Sequence, residues 1–121
     1  MRRSRKSIRT TSRIRIEFYL PERPERLRYQ VVRDWIIREL TYLRGGTTRI
    51  EGAKGTYRSE NGGLIPDVVT LIWCDFALDW QIPKDRRQAL DYITRLRLFM
   101  REMLHEEEEI LIVLLPVLHL G

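Results

Sequence analysis

Three groups of residues carry side chains that could do chemistry. Arg15-x-Glu17-x-Tyr19 sets a cation, a carboxylate and a phenol at alternate positions of an extended stretch. That spacing puts all three on one face of a strand, where they could hold or activate a small polar molecule, or pair across an interface. Gly52-Ala53-Lys54-Gly55-Thr56-Tyr57-Arg58 is glycine-rich and basic, and such a segment can offer backbone N–H groups and cations to an anion. Lys54, Tyr57 and Arg58 are its candidate contacts. Finally, Arg2, Arg3, Arg5, Lys6 and Arg9 form an acid-free arm suited to touching phosphates, because each cation that meets a polyanion releases counterions.

Other chemistries lack their residues. The G-x-x-x-x-G-K-S/T spacing of a P-loop is absent, as is the dinucleotide fingerprint. The two histidines, His105 and His119, fall at a helix end and near the carboxyl terminus, and no Cys/His cluster exists. The spacing suggests no metal site, no cofactor and no catalytic triad. The single cysteine, Cys74, sits in an apolar run and is expected to be a buried thiol.

Charge is distributed unevenly. The chain has 121 residues and a net charge of +5. Of its 22 basic residues, seven fall in residues 1–15, where no acid stands; the remaining 15 face 17 acids and leave the body at −2. Nucleic-acid binding by the folded surface is therefore disfavoured, and only the arm qualifies for it. Residues 1–12 have no apolar periodicity and read as a disordered basic arm, with some likeness in composition to an organellar transit peptide. The longest apolar run, Ile110 to Leu118, is too short to span a bilayer as a helix and contains Pro116. The expectation is a cytoplasmic protein with no membrane partner.

The elements that must position these groups follow from periodicity. Arg13 to Leu20 alternates, with Ile14, Ile16, Phe18 and Leu20 on one side and Arg13, Arg15, Glu17 and Tyr19 on the other. Leu27 to Leu43 has helical spacing, with Leu27, Val31, Trp35 and the Val32/Ile36/Leu40/Leu43 series in its apolar stripe and Gly45-Gly46 as its stop. Thr47 to Tyr57 and Pro66 to Leu78 read as two hairpin arms joined at Glu60-Asn61-Gly62-Gly63, where Asn-Gly predicts a tight type I′ turn. Gly52 and Gly55 predict a bulge in the first arm. A second helix starts at Pro83, with Ala89, Ile93, Leu96, Met100 and Met103 in its stripe, and frays at Glu106 to Glu109. The last strand, Ile110 to Leu120, carries Pro116 and should lie at a sheet edge.

The order strand, helix, strand, strand, helix, strand resembles the ferredoxin-like split-βαβ arrangement over residues 13–121. The resemblance implies an α+β domain: a four-stranded antiparallel sheet, first and third strands central, both helices on one face. The connection around Tyr57, between the second and third strands, resembles in layout the signalling loop of PII-like regulators, which share this element order. That likeness implies a regulatory loop. RNA-recognition motifs also share the order, and would use aromatics such as Tyr19 and Trp73, but their consensus is missing.

The third and fourth strands are apolar on both faces, which is more than two helices can cover. Three or four large apolar side chains per strand would gain on the order of 10 kcal/mol if buried. A patch of that extent rarely stays in water. The reading is therefore a small homo-oligomeric binding or regulatory module without catalysis, assembling through its sheet face. Its candidate contacts are Arg15, Glu17, Tyr19, Lys54, Tyr57 and Arg58, taking a small anionic ligand or a protein partner. Two alternatives stand beside it: a nucleic-acid binder led by the arm, and a cofactor-free enzyme resembling dimeric α+β barrels, with Arg15, Glu17 and Tyr19, joined by Asp75, in a pocket on the sheet face.

Overall fold

The computed structural model describes residues 8–105 and 110–121. Arg2, Arg3, Arg5 and Lys6 of the arm, and the Glu106 to Glu109 run, lie outside the described residues. Six elements follow in order: β1 (Thr10–Pro21), α1 (Leu27–Arg44), β2 (Thr48–Arg58), β3 (Leu64–Phe76), α2 (Pro83–Leu104) and β4 (Leu111–Leu120). They form one antiparallel four-stranded sheet in the order β2-β3-β1-β4, with two helices, an α+β fold. β1 and β3 are interior, and β2 and β4 are edges. Pro116 lies in an edge strand, where a missing N–H costs the ladder least. No described helix is long and apolar enough to cross a membrane.

β1 begins at Thr10, three residues inside the stretch that composition assigned to the arm. Thr10, Thr11 and Ser12 pair with Leu120, His119 and Leu118. Arg9 continues this pairing, its carbonyl accepting from the Gly121 N–H at 3.0 Å.

Alternation in β1 sorts its side chains cleanly. Ile14, Ile16, Phe18 and Leu20 are almost wholly buried, in one core with Ile72, Cys74 and Phe76 of β3 and with buried residues of both helices. From α1 these are Tyr29, Val32, Ile36 and Leu40. From α2 they are Ala89, Leu96, Met100 and Leu104. The apolar stripe of α1 is thus rotated from the expected one: Leu27 is 72% exposed and Val31 48%, whereas Tyr29 is buried. Spacing alone gives two adjacent rows of the helix equal standing, and contact with the sheet selects one. Likewise Leu104, not Met103, faces the core at the end of α2. Trp35 packs at the core margin, its ring 4.3 Å from that of Phe99. Gly45 ends α1 in the left-handed region (φ 85°), its N–H bonded to the Thr41 carbonyl, as the Gly-Gly stop required.

The β2–β3 hairpin departs from expectation in two ways. Its turn is not type I′. Gly62 has φ 82°, but Asn61 does not have a positive φ. Gly62 N donates to the Ser59 carbonyl at 2.9 Å and Ser59 N to the Gly63 carbonyl at 2.8 Å. These bonds describe a type I turn followed by a left-handed glycine, the arrangement a longer connection adopts. Moreover, the connection at Tyr57 is not a long loop. β2 continues paired to Arg58, opposite Leu64, so Tyr57 lies in a strand. β1 stops at Pro21, opposite Val69, and the hairpin beyond Val69 projects past it as a two-stranded arm. The predicted bulge is present, with the register shifting between Ile50 and Ala53 around Gly52 at φ 72°.

Candidate functional site

The face of the sheet opposite Ile14 and Phe18 carries the polar row of β1. Arg15 stands opposite Asp75 of β3, Glu17 opposite Trp73, and Tyr19 opposite Leu71. On the other side of β1, the same residues stand opposite Leu115, Val113 and Leu111 of β4. Apart from Asp75, the residues flanking the row on both sides are therefore apolar.

Its charges are extensively bonded. Arg15 donates to Asp75 twice, Nε to Oδ1 at 2.7 Å and Nη2 to Oδ2 at 3.1 Å. This bidentate geometry is the strong form of a cation–carboxylate bond. His119 Nε2 lies 2.6 Å from the same Asp75 Oδ2. The bond from Arg15, then that from His119, hold the Asp75 carboxyl below its ordinary range, against the opposing effect of burial. Arg15 is raised in turn by its bond to Asp75, and its guanidinium lies 5.7 Å from the Trp73 ring centre. Tyr19 donates its hydroxyl to Glu17 Oε1 at 3.1 Å, a bond that raises the phenol's pKa.

A groove of about 410 Å³ opens at the Tyr19 end of this face, where the projecting arm meets the sheet. Tyr19, Tyr57, Ile65, Val69 and Leu111 supply much of its wall. Arg23 and Asp67 also line it, and bond to each other at 3.0 Å. The Tyr57 ring lies back over Gly55: a Cβ built on Gly55 would stand 3.0 Å from the Tyr57 hydroxyl. Beside the groove, Glu22 ties the bulge to β3. Its Oε1 accepts from Gly52 N and from the buried Thr70 hydroxyl, each at 2.9 Å.

The candidate residues are thus divided. Arg15, Glu17 and Tyr19 share one face, and Asp75 joins them. Tyr57 meets Tyr19 across the groove. Lys54 and Arg58 pair with Val68 and Leu64, whose alternation places them on the opposite face of the arm, away from Tyr57. The glycine-rich segment is a strand, not an anion-cradling loop, and the Gly52 N–H is already bonded to Glu22. Arg9 is exposed at the start of β1.

Sequence reasoning set His119 aside as a poor metal ligand and missed it as a partner of Asp75. The available signal was parity in β4, where His119 falls in the same alternate set as Leu111, Val113 and Leu115. No cluster of His, Cys, Asp or Glu suited to a metal occurs among the described residues. The Cys74 thiol is buried, and burial pushes its pKa up to about 12. Compared with known proteins, the chain matches no protein-family model and no curated protein.

Proposed function

We propose that the protein is a small homo-oligomeric binding module of ferredoxin-like arrangement, without catalysis of its own, whose outer sheet face is covered by a second copy. The observation that carries this reading is the make-up of that face. Leu111 is 56% exposed, Ile50 47% and Leu115 38%, with Trp73, Val113 and Val117 half-buried among them. The polar row they surround has Arg15 and Asp75 paired within one chain. Burying that pair beneath another molecule therefore leaves no isolated charge on either of its members.

The size of the face supports the same reading. Along the ten residues over which β1 and β4 pair, β3 accompanies them for six residues and β2 for three, so at about 3.4 Å per residue and about 4.8 Å per strand this part of the face outlines roughly 500 Å² per copy. Two such faces give roughly 1,000 Å², and the projecting arm of each copy extends that towards the roughly 1,200 Å² of a specific interface. The Tyr19–Tyr57 groove is where this module would take a ligand. Its wall is mostly apolar and its one acid–base pair is self-compensated, which favours an uncharged or aromatic group over an anion.

Light scattering tests the assembly. The chain should run at a multiple of 14.6 kDa, and Leu115→Lys should bring it to the single-chain mass with its circular dichroism unchanged. A wild-type mass of 14.6 kDa at the highest soluble concentration would refute the proposal.

A further inference from the structure

The outer face of β1 reads, in order, Arg13, Arg15, Glu17 and Tyr19. Arg15 has its charge matched by Asp75. The charges on either side of it do not have that. Arg13 donates only to its neighbour's carbonyl, Nη1 to Ser12 O at 3.0 Å, and no carboxylate among the described residues pairs with it. Glu17 accepts from the Tyr19 hydroxyl and, although its charge helps to raise Arg15 from a distance, closes no ion pair among the described residues. One face thus presents an unmatched cation and an unmatched carboxylate, each two residues from a neutralised centre. Both side chains are half-buried, Glu17 between Trp73 and Val113 and Arg13 beside Val117.

This pattern is self-complementary under one symmetry and self-repelling under the other. Two copies stacked sheet on sheet meet through an isologous patch. A two-fold axis running along β1 would set Arg13 over Arg13 and Glu17 over Glu17, placing like charges together where water is excluded. An axis across β1 at Arg15 exchanges the two positions, so each cation meets a carboxylate. Resting on the oligomer reading above, we infer that two copies pair about an axis across β1 at Arg15. The two β1 strands then run in opposite directions, and Arg13 of each copy meets Glu17 of the other. Arg15 lies at the axis, where its two hydrogen bonds to Asp75 keep two guanidinium groups from opposing each other as bare charges. The same axis carries the projecting arm of each copy past the start of the other copy's β1.

The test uses charge reversal and mixing, read as mass by analytical ultracentrifugation. Arg13→Glu alone sets a new carboxylate against Glu17, and Glu17→Arg alone sets a new guanidinium against Arg13. Each variant should raise the dimer dissociation constant at least about tenfold, because close interfacial charge pairs couple strongly and the pair occurs twice per dimer. In an equimolar mixture of the two variants the mixed dimer pairs unlike charges at both contacts: one copy carries carboxylates at both positions and the other guanidinium groups at both. Each of the two contacts is attractive again, so the dimer should return. Circular dichroism of each variant is taken first. Where a reversal unfolds the chain, Arg13→Gln or Glu17→Gln replaces it: a weakened dimer supports the register, and unchanged affinity overturns it. A dimeric wild type whose reversed variants dimerise equally well, or whose mixture stays monomeric, overturns this register and leaves the oligomer reading standing. A monomeric wild type removes both.

Discussion

Arg15 and Asp75 sit directly opposite each other in the β1–β3 ladder, and their side chains close two parallel hydrogen bonds of 2.7 and 3.1 Å. They are 60 residues apart in the chain, and only the pairing of two interior strands brings them together. The pair is half-sheltered, with the Arg15 side chain 32% exposed and that of Asp75 16%. That exposure sets the scale of its contribution.

Asp75 should confer an acid-sensitive increment of stability. Its folded-state pKa lies below the ordinary 3.8, so the increment is present above 3.8 and is lost as pH falls through the lowered value. Asp67, lowered by its bond to Arg23, acts in the same direction. Asp75→Asn should cost about 1 kcal/mol at neutral pH, allowing for solvent screening, and should flatten the acid limb of a urea-midpoint-against-pH curve. A variant with the wild-type acid limb would show that the pair adds nothing to folding.

Cys74 should govern an alkaline limb. Burial lifts its folded pKa from 9.0 to about 12. The unfolded thiol therefore ionises first, and the stability held below pH 9 is lost as pH rises towards the folded value, at about 1.4 kcal/mol per pH unit for one proton. Tyr92, buried and raised to about 12, adds to the same loss. Cys74→Ala should shallow this limb. At neutral pH, labelling of the wild-type thiol by a disulfide reagent should occur only through opening of the fold. Prompt stoichiometric labelling of the native protein would contradict the burial of Cys74.

Gly52 and Gly46 should answer differently to alanine. Gly52 is at φ +72°, where a Cβ is strained, although no atom stands within 4 Å of the added carbon. Gly52→Ala should cost about 1–2 kcal/mol through the backbone alone. Gly46 has neither a positive φ nor a crowded Cβ. Gly46→Ala should be neutral, or should stabilise by about 0.4–1 kcal/mol by restricting the unfolded chain. Equal urea midpoints for the two variants would show that the bulge can relax.

The element order could be read from local pattern because each signal rests on near neighbours. Alternation in β1 needs only the residues of that strand, and the Gly45 stop needs only a residue free to take positive φ. The stripe of α1 and the turn at Asn61 were misread for a shared reason. Several local solutions were close in energy, and distant packing or the paired length of the hairpin chose among them. Thr47 to Tyr57 was legible as a strand with a bulge, and what its glycines and cations wrongly suggested was an anion-cradling segment with Lys54, Tyr57 and Arg58 together. Once paired with β3, the glycines serve the bulge at Gly52 and the space that the Tyr57 ring occupies over Gly55.

From its own residues the chain determined four strands, two helices, a buried thiol and a surplus of apolar β-surface, because side-chain periodicity and backbone freedom act locally. Tertiary structure alone decided which charges are matched. His119 reaches Asp75 across 44 residues, Lys54 and Arg58 turn away from Tyr57, and Arg13 and Glu17 stay without an ion partner among the described residues. Ion pairing depends on distance in space, and strand register, which sets that distance here, is a property of the whole sheet.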